Sequence, residues 1–268
     1  MDKQINYQDL CREVASLAIR TGRWLCNERR KISTVEVDVK GVHDYVTKFD
    51  KQSEATVVKR LKELLPVAGF IAEEKTETVL ADHYNWIVDP LDGTTNFIHG
   101  LPPTAISIAL KEDDCIVIGV VYEIGRDECF YAYKGSDAYM NGKRIHVSAC
   151  PGLNSSLLAT GFPYTDFSIL KPFMAYLEWS MQHTHGLRRL GSAATDLVYV
   201  ACGRCDGYFE YGMKPYDVAA GAFIVQQAGG KVSDFSGNGN WLFGGEIVAS
   251  GPTLFQEFQQ SVFRFMKQ

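Results

Sequence analysis

The chain has 268 residues, 46% hydrophobic and 22% charged, which allows a sizeable core and matches the balance of an ordinary globular protein. Its formal net charge of −5, with no basic tract, excludes an extended electrostatic footprint for nucleic acid. No uncharged apolar run approaches the ~20 residues that span a bilayer, and the opening residues lack a secretory signal, so no membrane contact and a cytoplasmic location are expected.

In chain order, Leu10, Val14, Leu17, Ala18 and Leu25 recur at helical spacing and predict a long amphipathic helix. Val35, Val37 and Val39 alternate and predict a half-buried strand; "KGVHDYVTKFD" lacks a periodic apolar pattern. Val57, Leu61, Leu64 and Leu65 predict a second helix that Pro66 ends. "GFIAEE" and "YNWIVDP" are apolar runs that each finish in acid, as strands do when their carboxyl ends build a site.

Strands follow at "TAISIALKE", "CIVIGVVYE" and "DECFYAYKG", then a hairpin at Asn141-Gly142. The strand-rich block closes near Cys150-Pro151-Gly152, which sets the expected division at 1–150 and 151–268. Beyond it, "SSLLATG" reads as a strand, Asp166 to His183 as a helix, "GSAATDLVYVACG" as a helix and "CDGYFEYG" as a strand. Pro215 opens a helix that closes at Gly229-Gly230, two short strands follow, and a last helix starts at Pro252 with Phe255, Phe258, Val262 and Phe265 facing the core. An antiparallel α+β half is thus followed by an α/β half.

Seven scattered cysteines fit free thiols, and Cys202 and Cys205 of "CGRC" read as small buried residues near a helix end. His183 and His185 read as capping or solvated groups, and His99 carries no assigned chemistry.

The chemistry lies in the acids. In "VDPLDGTTNFIHG", Asp89 and Asp92 stand three residues apart around Pro90 and Leu91, and Gly93 permits close backbone approach. A turn explains this pair about as well as a binding site does. Two carboxylates with a carbonyl between them also suit Mg²⁺, and the N–H groups that follow could meet an anion once cations are present. Further acids are Glu73 and Glu74, Asp217 in "KPYDVAAG", and Asp44 with Thr47 and Asp50; surface solvation, the helix dipole and helix capping explain them singly. Together they are harder to dismiss.

"DPLDGTTNFIHG", "AEE" and "DYVTKFD", with "LRRLGSAATDL" and "KPYDVAAGAFIVQQAGG", resemble the inositol monophosphatase family in order along the whole chain. The resemblance implies a layered αβαβα sandwich of the inositol monophosphatase / fructose-1,6-bisphosphatase fold, magnesium dependence, lithium inhibition and a homodimer. It makes Glu73, Asp89, the Leu91 carbonyl, Asp92 and Asp217 the ligands of two or three Mg²⁺ ions. Gly93 and Thr94 resemble phosphate-cradle positions, and Thr94, bonded toward Asp44, helps Glu73 orient a water. Gly191, Ser192 and Ala193 resemble the lining of a polyol pocket and Glu210 the acid that grips a substrate hydroxyl, with Asp92, Gly93, Thr94 and Asp217 also facing substrate. Lys40 resembles a loop lysine near the outermost metal. Tyr216 stands where the family usually has Trp, which bears on specificity.

The implied reaction is hydrolysis of inositol monophosphate or a similar small polyol phosphate by in-line attack of a metal-activated water, without a phosphoenzyme. Alternatives keep the chemistry and change the substrate to fructose 1,6-bisphosphate, histidinol phosphate, NADP or a nucleotide 3′-phosphate. A non-catalytic binding protein on the same fold is the reading from a different class. The expected partner is a small phosphate ester, with no nucleic acid.

Overall fold

The structure, a computed structural model, describes residues 5–31, 37–41, 44–75, 77, 79–163 and 166–267, with 37–41 and 44–46 described by backbone alone. Helix α1 (Tyr7–Lys31) buries Leu10, Val14, Leu17, Ala18 and Leu25, the predicted stripe. Asp9 in its first turn and Arg29, Arg30 and Lys31 in its last complement the helix dipole.

Strand β1 (Val37–Gly41) pairs antiparallel with β2 (Asp44–Thr47). The second strand was not expected, because its residues show no apolar alternation and only pairing with β1 defines it. Helix α2 (Lys48–Leu64) starts at a capping box: Thr47 Oγ1 accepts from Phe49 N, while Asp50 Oδ2 accepts from Thr47 N at 2.8 Å. It stops just before Leu65 and Pro66, as expected.

A seven-stranded sheet follows, in the order β3 (Gly69–Ala72), β4 (Tyr84–Asp92), β5 (Ala105–Glu112), β6 (Cys115–Glu123), β7 (Glu128–Tyr133), β8 (Ala138–Met140) and β9 (Lys143–Ile145). Helix α3 (Thr94–His99) interrupts it after β4. β3 and β4 are parallel and the other neighbours antiparallel. Asn141 (φ 49) and Gly142 (φ 80) form the predicted turn of left-handed residues between β8 and β9.

The second sheet contains β10 (Leu157–Thr160), β11 (Gly186–Arg188), β12 (Gly207–Tyr211), β13 (Lys231–Ser233) and β14 (Glu246–Ser250), in the order β11-β10-β12-β14-β13. Its helices are α4 (Leu170–His183), α5 (Ala193–Ala201), α6 (Pro215–Gln227) and α7 (Pro252–Met266). β11 was missed because three residues carry no period. α4 begins four residues later than the sequence suggested, since Asp166 Oδ1 accepts from Ser168 N and holds a local turn there.

The layers are α, β, α, β, α. α1 and α2 cover one face of the first sheet, and α5 and α6 fill the space between the two sheets. α4 and α7 cover the outer face of the second sheet. Three apolar clusters occupy the interfaces, with Trp86, Phe223 and Phe258 in successive ones. Each fully buried large side chain contributes about 1.5–3 kcal/mol of transfer free energy. Although α6 belongs to the second half of the chain, it packs on β4, β5 and β6 of the first sheet. That crossing carries Asp217 toward β4. No helix among the described residues is long and apolar enough to cross a membrane.

Candidate active site

The site starts with a pairing irregularity. Side chains alternate across a strand, so residues three apart, such as Asp89 and Asp92, should face opposite sides. On β5, however, Asp89 lies opposite Ser107 and Asp92 opposite Ala105, so β4 carries one extra residue between them. This β-bulge at Pro90 and Leu91 restores both aspartates to one side. Ser53 Oγ donates to Pro90 O at 2.9 Å and pins the bulge to α2.

Glu73 arrives by register. Ala72 pairs with Val88 across the parallel strands, so the next residues are Glu73 and Asp89, and Glu73 N donates to Val88 O at 3.2 Å. Asp217 arrives in the first turn of α6, where its Oδ2 accepts from Lys214 N at 2.6 Å. Glu73, Asp89, Leu91, Asp92 and Asp217 all line one cavity of about 380 Å³, together with Gly93, Thr94, Gly191, Ser192, Ala193 and Glu210.

The acids repel one another. Burial, then Glu73, Asp92 and Asp217, push the Asp89 carboxyl well above its ordinary range. Burial pushes Asp92 up to about 6, opposed by the hydrogen bonds of Ser192 and Ala194. Asp217 is raised by burial and by Asp92, Glu73 and Glu210. Glu210, 6% exposed, is pushed up to about 7 by burial, against the Tyr208 hydroxyl that donates to its Oε2 at 2.6 Å. Each of these three aspartates has one oxygen tied by the chain itself: Asp89 Oδ1 by Leu91 N, Asp92 Oδ2 by Ser192 Oγ and Ala194 N, Asp217 Oδ2 by Lys214 N. Their orientations are thereby set in advance.

Among the described residues, no three His, Cys, Asp or Glu side chains already stand close enough to hold an ion. The donors are nevertheless hard oxygens around one cavity, mutually destabilised in a way that a divalent cation would relieve, and so they fit Mg²⁺.

Gly93 has φ 89, and a Cβ there would meet Pro103 O at 3.0 Å and Gly191 O at 3.1 Å. Glycine is therefore required both by backbone conformation and by space. Among the described residues, the Thr94 hydroxyl reaches Asp50 Oδ1 at 2.9 Å and Leu91 O at 3.1 Å. Asp50 is fully buried and already turned inward by the capping box, which makes it the available acceptor. The side chains of Asp44 and Lys40 lie outside the described residues.

Ser192 caps α5 by accepting from Thr195 N, and Gly191 beside it has φ 93. Tyr216 lines the cavity, and its carbonyl accepts from Ser107 Oγ at 3.1 Å. Lys75, Arg189 and Lys214 also line it, as does Asp196. None of these four was singled out from the sequence. For Asp196 a signal was present: it is the lone charge in "AATDLVYVA", a helix buried along its whole length.

The other expectations are quickly placed. All seven cysteines are free, with Cys202 at the end of α5 and Cys205 buried. The His183 ring stacks on Trp179 at 4.4 Å, with Nδ1 beside Trp179 O at 2.7 Å, so it closes a helix end. His99 is exposed in the last turn of α3.

The chain belongs to the inositol monophosphatase family, whose model matches residues 7–265. A putative Nus factor SuhB of Neisseria meningitidis serogroup B is 42% identical over 241 residues, covering 90% of this chain and 92% of that protein. An inositol-1-monophosphatase of Mesorhizobium japonicum is 38% identical over 246 residues, covering 91% and 92%. Among solved structures, the extragenic suppressor protein SuhB of Bartonella henselae superposes with a TM-score of 0.88 at 36% identity, covering 96% of this chain and 98% of that one. The relatives thus carry both enzyme and Nus-factor names, and the latter lend no support to the expectation of no nucleic-acid partner.

Proposed function

We propose that this protein is a Mg²⁺-dependent phosphomonoesterase acting on inositol monophosphate or a similar small polyol phosphate. One observation carries the reading: Glu73, Asp89, Asp92 and Asp217 line one cavity, and bound cations or protons would relieve their mutual repulsion. These four carboxylates and the Leu91 carbonyl would hold Mg²⁺, which would supply Lewis acidity and neutralise charge on the phosphoryl group.

The chain's own residues do the positioning. Thr94, its hydroxyl proton directed to Asp50, offers lone pairs to the attacking water. Glu73 accepts a proton from that water and fixes its line of approach. Gly93 and Thr94 provide the phosphate side of the cavity, and Gly191, Ser192, Ala193 and Glu210 the polyol side. No serine or cysteine nucleophile is required: the water oxygen bonds to phosphorus as the P–O bond to the polyol breaks, and the polyol oxygen leaves with a proton taken up from solvent. Magnesium specificity, two or three ions, lithium sensitivity and a homodimer belong to the same proposal.

Phosphate release from inositol 1-phosphate, measured with Mg²⁺ and then with chelator, tests it. Release should be abolished by the chelator and should exceed release from a nucleotide 3′-phosphate. No release from any polyol phosphate with Mg²⁺ or Mn²⁺ would end the proposal. The Nus-factor name of the Neisseria relative favours a second reading, a binding role on the same fold. That reading gains if Asp92→Asn leaves phosphate release unchanged.

A further inference from the structure

Asp196 sits one turn into α5, is 1% exposed and lines the same cavity as Glu210 and Asp92. Its Oδ1 is buried and has no hydrogen-bond partner among the described residues. A buried polar atom without a partner is uncommon in native proteins and calls for a reason. Helix capping is not the reason, because Ser192 already receives Thr195 N and Asp92 already receives Ala194 N. Apolar packing is not the reason either, since the rest of the helix is buried and uncharged.

The neighbouring acid is supplied differently. Glu210 has its Oε2 held by the Tyr208 hydroxyl, and its carboxylate lies over Gly161, where a Cβ would come within 1.8 Å of Oε1. The chain therefore leaves room for one carboxylate that it orients and beside it keeps a second that it leaves unsatisfied. A site built to hydrogen-bond a hydroxyl leaves its buried polar group unpaired until that hydroxyl arrives.

We propose that Asp196 is a specificity-determining residue that binds a second substrate hydroxyl, next to the one gripped by Glu210. This rests on the phosphatase reading above and narrows it. The substrate class is a phosphate ester of a polyol with at least two free hydroxyls near the ester carbon, such as a cyclitol or sugar phosphate. Esters with one hydroxyl or none leave Asp196 unpaired and are discriminated against.

The test compares kcat/KM for inositol 1-phosphate with that for p-nitrophenyl phosphate, which has no hydroxyl. In Asp196→Ala the ratio of the two should fall at least tenfold, chiefly through KM for the inositol ester. Asp196→Asn, which keeps the shape and one acceptor oxygen, should recover part of it. An unchanged ratio, whether both rates hold or both fall together, would make Asp196 structural and overturn the inference. Because a variant can fail to fold, the unmodified protein is also assayed with deoxy-inositol phosphates lacking one hydroxyl each. Tenfold losses at two hydroxyl positions are expected; a loss at one position alone assigns the grip to Glu210 and overturns the proposal. If the unmodified protein releases no phosphate from any ester, the phosphatase reading itself has failed, a separate result.

Discussion

Ser192 Oγ donates to Asp92 Oδ2 at 2.6 Å, joining residues a hundred positions apart in the chain. The same carboxylate oxygen accepts from Ala194 N at 2.7 Å. The start of α5 thus holds the second aspartate of the bulge, so the Gly191–Ala193 side of the cavity and the Asp89–Asp92 side are mechanically one unit. Ser192→Ala removes the donor to Asp92 and the cap of α5 together. The expected cost is about 1 kcal/mol for the cap, a fall of roughly 2–4 °C in Tm by thermal unfolding. Phosphate release should drop about tenfold at low Mg²⁺ and recover at high Mg²⁺, because Asp92 is misaimed rather than lost.

Asp92→Asn keeps the shape of the side chain and removes its charge. Most Mg²⁺-stimulated phosphate release should disappear. The metal-free protein should unfold at the same or a higher temperature, since one of several repelling carboxylates has gone. A lower Tm with retained activity would contradict both parts.

The raised carboxyls make stability depend on pH in a stated direction. Asp92 binds its proton more tightly in the folded state, with its value moved from 3.8 to about 6. Its contribution is fully present below about 3.8, the unfolded value, and is lost as pH rises through about 6. Thermal unfolding in chelator should therefore show a lower Tm at pH 8 than at pH 5. Asp92→Asn should flatten that slope, and Mg²⁺ should raise Tm more at pH 8, where protons no longer compete for the site.

Gly161→Ala tests the role proposed for Glu210. The new methyl would overlap Glu210 Oε1, which must swing away and break its bond to Tyr208. KM for inositol 1-phosphate should rise tenfold or more in steady-state assays, while p-nitrophenyl phosphate hydrolysis changes far less.

Thr94→Val removes the bond to Asp50 with little change in volume. kcat should fall about 10²-fold with KM nearly constant, the signature of a group that acts on the attacking water. Thr94→Ser should restore most of it. Equal losses in both variants would assign Thr94 to packing.

Much of this molecule is local information. The stripe of Leu10, Val14 and Leu17, the turn at Asn141-Gly142 and Pro215 at the start of α6 are each set by neighbours within a few residues, so the sequence alone determined those elements. The acids were singled out too, through the resemblance that "DPLDGTT" and "KPYD" help carry. Their convergence was implied by the resemblance, but its geometric cause was not legible. That Asp89 and Asp92 share a side depends on one extra residue in β4 relative to β5, a property of the pairing and not of either strand. That Thr94 meets Asp50 depends on α2 turning Asp50 inward under β4. β2 and β11 exist only as partners of β1 and β10. Asp196 could be noticed as a stray charge in an apolar helix, but only the packing of α5 beneath the cavity left its oxygen without a partner. Local propensity acts over a turn or a strand, whereas charge acts through space, and only the folded chain decides which charges become neighbours.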